Sequence, residues 1–137
     1  MSEYSVKFEN IDISIYGNRE NLNSAVRMPC IIFAHGFKGF KDWGGFPYML
    51  EKLAESGYTA VSFNFSHNGV SADKPMDFTR LDMFAENTHS KELEALRIVI
   101  DYIYSIADEL GVDKKRIALI GHSRGGAAVI IAASEDD

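Results

Sequence analysis

Ile117-Ala118-Leu119-Ile120, then Gly121-His122-Ser123-Arg124-Gly125-Gly126, then Ala127-Ala128-Val129-Ile130-Ile131-Ala132-Ala133 is the stretch that most constrains the fold. A short apolar run rich in β-branched residues reads as a buried strand, and a longer Ala/Ile segment reads as a helix. Only a sharp turn can join them, and glycines two before and two after the serine leave room for one. The predicted unit is therefore strand, tight turn, helix, with Ser123 at the apex.

The rest of the chain repeats the alternation of strand and helix. Val6 and Phe8, then Ile11, Ile13 and Ile15, alternate with polar residues around Glu9-Asn10, which predicts an N-terminal antiparallel hairpin with one wet face. Residues 30–34 and 59–65 are short β-branched and aromatic runs bounded by Gly, Pro or Asn, and 117–120 is a third. Phe46, Leu50, Leu53 and Ala54 form a helical stripe with Pro47 near its start and Gly57 past its end. Leu93, Leu96, Ile100, Ile103, Ala107 and Leu110 predict one long helix ending at Gly111. Strands that alternate with helices imply an α/β fold, a mostly parallel sheet flanked by helices. Residues 18–27 and 66–79 are polar connections too short to separate two domains. The last segment, 127–133, is apolar all round, which predicts a helix that needs cover on every side, to be supplied by further chain, a partner subunit or aggregation.

Composition narrows the function classes. With 137 residues, 46% of them apolar, the chain can build a single core. Fourteen Lys and Arg are scattered among twenty acids for a net charge of −6, which argues against nucleic acid as a partner. No apolar run is long enough for a membrane span and the N-terminus lacks a secretory signal pattern, so the expected setting is cytoplasmic. Cys30 sits within an apolar strand and reads as a buried thiol. Histidines and cysteine show no paired ligand spacing, so no metal is expected, and Asp73, Asp77, Asp82 and Glu86 read as solvated loop acids.

A serine exposed at a strand-to-helix turn can serve as a nucleophile if a base takes its proton and a third group orients the base. Two other readings of the same turn are an N-cap hydroxyl and an anion cradle at a helix N-terminus. The anion reading lacks both the Gly-Lys-Ser/Thr ending and the Gly-x-Gly-x-x-Gly spacing of phosphate loops. His35-Gly36-Phe37 ends the strand at 30–34 and enters a glycine-rich loop, where an acyl-transfer site places one oxyanion donor, the second coming from the residue after the nucleophile. Those donors would be the backbone N–H groups of Phe37 and Arg124. Each histidine has a reading other than base: His122 packs beneath the turn, His35 braces the loop, His89 caps the long helix or lies on its surface, and His67 lines the mouth of the site. Trp43, with Phe37, Phe40, Phe46 and Tyr48, either walls a pocket or fills core.

Together, Phe33-Ala34-His35-Gly36-Phe37-Lys38-Gly39, Phe63-Asn64-Phe65-Ser66-His67-Asn68-Gly69 and Gly121-His122-Ser123-Arg124-Gly125-Gly126 give a chain that resembles the N-terminal part of an α/β hydrolase. It is closest in pattern to the dienelactone-hydrolase and feruloyl-esterase-like serine hydrolases. The resemblance implies a serine hydrolase acting on a small-molecule carboxylic ester or related acyl bond, without cofactor. Ser123 matches the nucleophile, Gly121 and Gly125 the elbow glycines, Phe37 and Arg124 the oxyanion donors. In that family the acid and the base follow the nucleophile along the chain. Residues 1–137 are thus expected to be the N-terminal portion of a single domain, with the triad Asp and His beyond Asp137 and little turnover on their own. A peptidase or acyltransferase on the same fold, or a non-catalytic binding module, are the alternatives. The strand at 117–120 would lie at an exposed edge, open to self-association.

Overall fold

A computed structural model of the chain describes residues 2–17, 26–36, 39–67, 79–85 and 87–135. Among the described residues the elements run in the order β1 (Ser2–Phe8), β2 (Ile11–Gly17), β3 (Met28–Ala34), α1 (Phe46–Glu55), β4 (Thr59–Phe63), α2 (Leu81–Ala85), α3 (His89–Ser105), α4 (Ala107–Leu110), β5 (Val112–Gly121) and α5 (Arg124–Ser134). The strands form one open mixed sheet in the order β1-β2-β4-β3-β5. The β4-β3-β5 half is parallel, and β1-β2 and β2-β4 pair antiparallel.

The hairpin turns on Glu9 and Asn10, both at positive φ (48° and 66°), with Phe8 opposite Ile11. Such a two-residue turn matches the right-handed twist of its strands. Alternation along β2, β3 and β4 then divides the core between two faces. Ile13, Ile15, Cys30, Ile32, Val61 and Phe63 meet Leu96, Val99 and Ile103 of α3 and Ala128 and Val129 of α5 on one side. Tyr16, Phe33 and Ala60 meet Leu50 and Ala54 of α1 on the other. Parallel strands need crossovers, and these helices cover both faces of the sheet.

Three expectations are corrected. The long helix breaks at Ile106 (φ −107°, ψ 12°), where α4 begins and runs to Gly111 in the left-handed region at φ 71°. The third strand runs to ten residues because Val112 pairs with Met28 while Ile117 pairs with Cys30, so the polar stretch 113–116 bulges out of register. Asp113 holds that bulge, accepting from Lys115 N at 2.9 Å and from Arg116 Nε at 2.9 Å. Asp82 lies on the short helix α2, paired with Arg80, rather than in a loop; Asp73, Asp77 and Glu86 fall outside the described residues. The last helix, α5, packs Gly125, Ala128, Val129 and Ala132 inward and leaves Ile130 71% and Ile131 46% exposed, the uncovered apolar face expected of it.

β5 is an edge strand of the described sheet. No helix among the described residues is long and apolar enough to cross a membrane.

Candidate active site

β3 and β5 are parallel neighbours whose last pairs are Phe33 with Ile120 and Ala34 with Gly121. Both strands therefore end at the same level, and the two turns that follow are brought together. Ser123 sits there at φ 57°, ψ −120°, a conformation that is strained for a residue with a Cβ and costs on the order of 1–3 kcal/mol. Three backbone bonds hold it: His122 N–H to Ala34 O at 3.0 Å, Gly125 N–H to His122 O at 3.0 Å, and Gly126 N–H to Ser123 O at 2.9 Å. Glycine at 121 and 125 is a matter of space. A Cβ on Gly125 would stand 2.3 Å from Ala34 O, and one on Gly121 2.5 Å from Gly125 O.

The Ser123 side chain is exposed and makes no capping bond to α5, although it occupies the N-cap position. That removes the N-cap reading, since a capping hydroxyl accepts from the second or third N–H of its helix. The loop after β3 reaches the serine directly: a Cβ on Gly36 would lie 2.9 Å from Ser123 Cβ and 3.1 Å from His122 O. Position 36 thus borders the nucleophile candidate, and only glycine allows the approach. Phe37, the first expected oxyanion donor, lies outside the described residues. Arg124, the second, is the first residue of α5.

His35 braces the loop as expected. Its Nε2 faces Phe65 N at 3.2 Å and its Nδ1 faces Gly36 O at 2.9 Å. A backbone N–H can only donate, so Nε2 accepts and Nδ1 carries the proton. Burial pushes the imidazole pKa down from 6.5 to about 4, against a smaller upward effect of the Gly36 carbonyl. A second tie joins the loops that follow β3 and β4, from Lys41 N to Asn64 Oδ1 at 2.8 Å.

The other histidines are spread apart. His122 is exposed, its ring edge-on to Phe46 at 5.6 Å, rather than packed beneath the turn; the strained Ser123 swings the chain so that residue 122 faces α1. His89 is the first residue of α3 and exposed, while Thr88 Oγ1 caps that helix, accepting from Lys91 N at 3.2 Å. His67 pairs with Ser66 Oγ at 2.9 Å and lines a cavity of about 630 Å3 with Lys7, Glu9, Asp12, Arg80 and Lys91. Ser123, Gly36 and Trp43 are not among the described walls of that cavity. Trp43, 52% exposed, packs on Phe46 at 5.4 Å and so continues an aromatic row from His122 outward. Among the described residues no histidine is hydrogen-bonded to Ser123, and no three His, Cys, Asp or Glu side chains converge as metal ligands would.

One residue of this region escaped the sequence. Glu92, on the first turn of α3, is buried, and its carboxylate lies 2.9 Å from Arg124 Nε. In the sequence it is one acid among several on an amphipathic helix, and no spacing marks it.

Comparison with known proteins agrees with this fold. The family model described as "Alpha/beta hydrolase family" matches residues 31–136. No curated protein sequence matches the chain. Among solved structures, the esterase Est22 bound to p-nitrophenol superimposes with a TM-score of 0.69 at 21% identity, covering 98% of this chain and 38% of its own. Est1E from Butyrivibrio proteoclasticus gives 0.67 at 20% identity, covering 99% and 46%. A dienelactone hydrolase from Anabaena variabilis gives 0.72 at 17% identity, covering 98% and 58%. The chain thus spans between about two fifths and three fifths of the length of these structures. With a family model matched over most of its length and a sheet and flanking helices to fit, the chain belongs to the α/β hydrolase family.

Proposed function

We propose that the protein is a serine hydrolase that cleaves a small-molecule carboxylic ester or related acyl bond through an acyl-enzyme on Ser123. The observation that carries this reading is the strained, uncapped and exposed Ser123, set against Gly36 at the shared end of β3 and β5. Strain of this kind persists only where surrounding structure enforces it, and it clusters at reacting groups. In this reading Ser123 Oγ attacks the acyl carbon, its proton passes to a histidine base, and the carbonyl oxygen becomes an oxyanion held by the N–H groups of Arg124 and Phe37. The acyl-enzyme forms as the alcohol leaves with that proton, and water then releases the acid. His35 is not the base: its pKa of about 4 and its two backbone partners fit a brace. The base and its orienting acid would be supplied by chain beyond Asp137, following the family order. The p-nitrophenol bound to one similar esterase supports an ester as the substrate class.

The experiment is hydrolysis of p-nitrophenyl acetate by the full-length protein and its Ser123→Ala variant. Loss of a triad member lowers kcat by about 10⁴ to 10⁶. Turnover that survives Ser123→Ala would sink the proposal.

A further inference from the structure

The elbow has no side chain at 121, 125 or 126, so what fixes it laterally is what its neighbours grip. On one side the His122 ring meets Phe46 of α1. On the other, Arg124 reaches α3, where its Nε lies 2.9 Å from Glu92 Oε2. Glu92 is 4% exposed, and its second oxygen accepts from Asn87 Nδ2 at 2.7 Å. A carboxylate taken out of water to this extent needs partners for both oxygens: Asn87 Nδ2 donates to one, and the Arg124 guanidinium stands beside the other as an ion pair, its Nε within reach but not aligned for a hydrogen bond. Its place on the first turn of α3, behind the Thr88 cap, adds the favourable field of the helix N-terminus. Such a buried pair is a poor source of net stability compared with apolar packing. Its value lies in geometry, because a short-range contact between two helices fixes where Arg124 can be.

We propose that Glu92, held by Asn87, is a positioning residue that anchors the Arg124 side chain and thereby sets the direction of the Arg124 peptide N–H beside Ser123. The Ser123–Arg124 peptide plane turns with the strained ψ of Ser123 and with the φ of Arg124. Clamping the Arg124 side chain limits that rotation, so the N–H points where an oxyanion forms rather than swinging with the start of α5. This inference rests on Ser123 acting as nucleophile.

The test uses the full-length protein and p-nitrophenyl acetate, with active sites counted by a fluorophosphonate. Glu92→Gln keeps the shape and an acceptor but removes the charge, and kcat per active site falls about tenfold while KM stays within about twofold, as for a contact that matters in the transition state. In an Arg124→Met background the same substitution adds nothing further, because both act through one contact. Asn87→Ala lowers kcat in the same sense, and it carries the test if Glu92→Gln does not fold. A kcat within about twofold of the parent in the folded variant, or effects of Glu92→Gln and Arg124→Met that multiply independently, overturns the inference. If Ser123→Ala hydrolyses as well as the parent, the functional reading fails and this inference with it. Ser123-dependent hydrolysis with kcat unchanged in Glu92→Gln removes this inference alone.

Discussion

Gly125→Ala isolates the close packing that creates the tight turn between β5 and α5. The added Cβ would meet Ala34 O at 2.3 Å, His35 O at 2.4 Å and Ala34 C at 2.8 Å, all backbone atoms at the end of β3. That strand end is paired with β5 on one side and β4 on the other, so it cannot swing away like the tip of a side chain. Restoring ordinary contact requires the first turn of α5 to retreat by about 1 Å, and overpacking of this kind costs about 1–3 kcal/mol. The retreat also stretches the His122 N–H bond to Ala34 O, worth about 1 kcal/mol. Alanine's better helix propensity returns at most about 1 kcal/mol. The expected net loss is therefore about 1–4 kcal/mol, read as a lower urea midpoint with an unchanged slope. Because Ser123 rides on the same turn, a displacement near 1 Å lowers kcat by about 100-fold. Gly45→Ala is the control: nothing lies within 4 Å of its added Cβ, its φ is −85°, and its stability should stay within about 1 kcal/mol of the parent. A Gly125→Ala variant as stable and as active as this control would refute the packing argument.

His35 should make stability depend on pH. Its folded pKa of about 4 lies below the ordinary 6.5, so its contribution is fully present above pH 6.5 and is lost as pH falls toward 4, by about 3 kcal/mol in all. Urea titrations between pH 7 and 4.5 should show that slope in the parent and a weaker one in His35→Asn; equal slopes would contradict the assignment. Cys30 is fully buried and its thiol is pushed up to about 12 by burial, so a thiol-reactive chromogen should react only as fast as the chain unfolds. Rapid labelling of the native protein would show the strand to be open. We also propose that the 137-residue chain self-associates through the β5 edge and the exposed Ile130 and Ile131 of α5. Sedimentation velocity should show a concentration-dependent species that Ile130→Glu diminishes, and a concentration-independent monomer would argue against it.

What could be read from the sequence was whatever local pattern controls. Period-two alternation around Glu9-Asn10 marked the hairpin, and Pro47 and Gly57 bracketed α1, because turn and cap preferences act over a few residues. The turn at Ser123 was legible for the same reason: the glycines that allow it are adjacent to it. Long-range effects were not. The bulge at 113–116 depends on how β5 meets Met28 and Cys30 across the sheet, and its charged residues disguised the start of the strand. The break at Ile106 interrupts a stripe that stays periodic in sequence. Glu92 is the sharpest case. Its burial exists only because α5 packs beside α3 and brings Arg124 to it. The neighbourhood of Gly36 and Ser123, 87 positions apart, likewise comes from the β3-β5 pairing, which no local pattern encodes.

Ser123 is the group proposed to react, and covalent labelling measures that reactivity without an intermediate assay. The full-length protein treated with a fluorophosphonate, digested and analysed by mass spectrometry should carry one adduct, on the peptide containing Ser123. Labelling and ester hydrolysis should fall together as the reagent is titrated, and both should vanish in Ser123→Ala. An unlabelled Ser123 in a protein that still hydrolyses esters, or an adduct on another residue that tracks the loss of activity, would contradict the account.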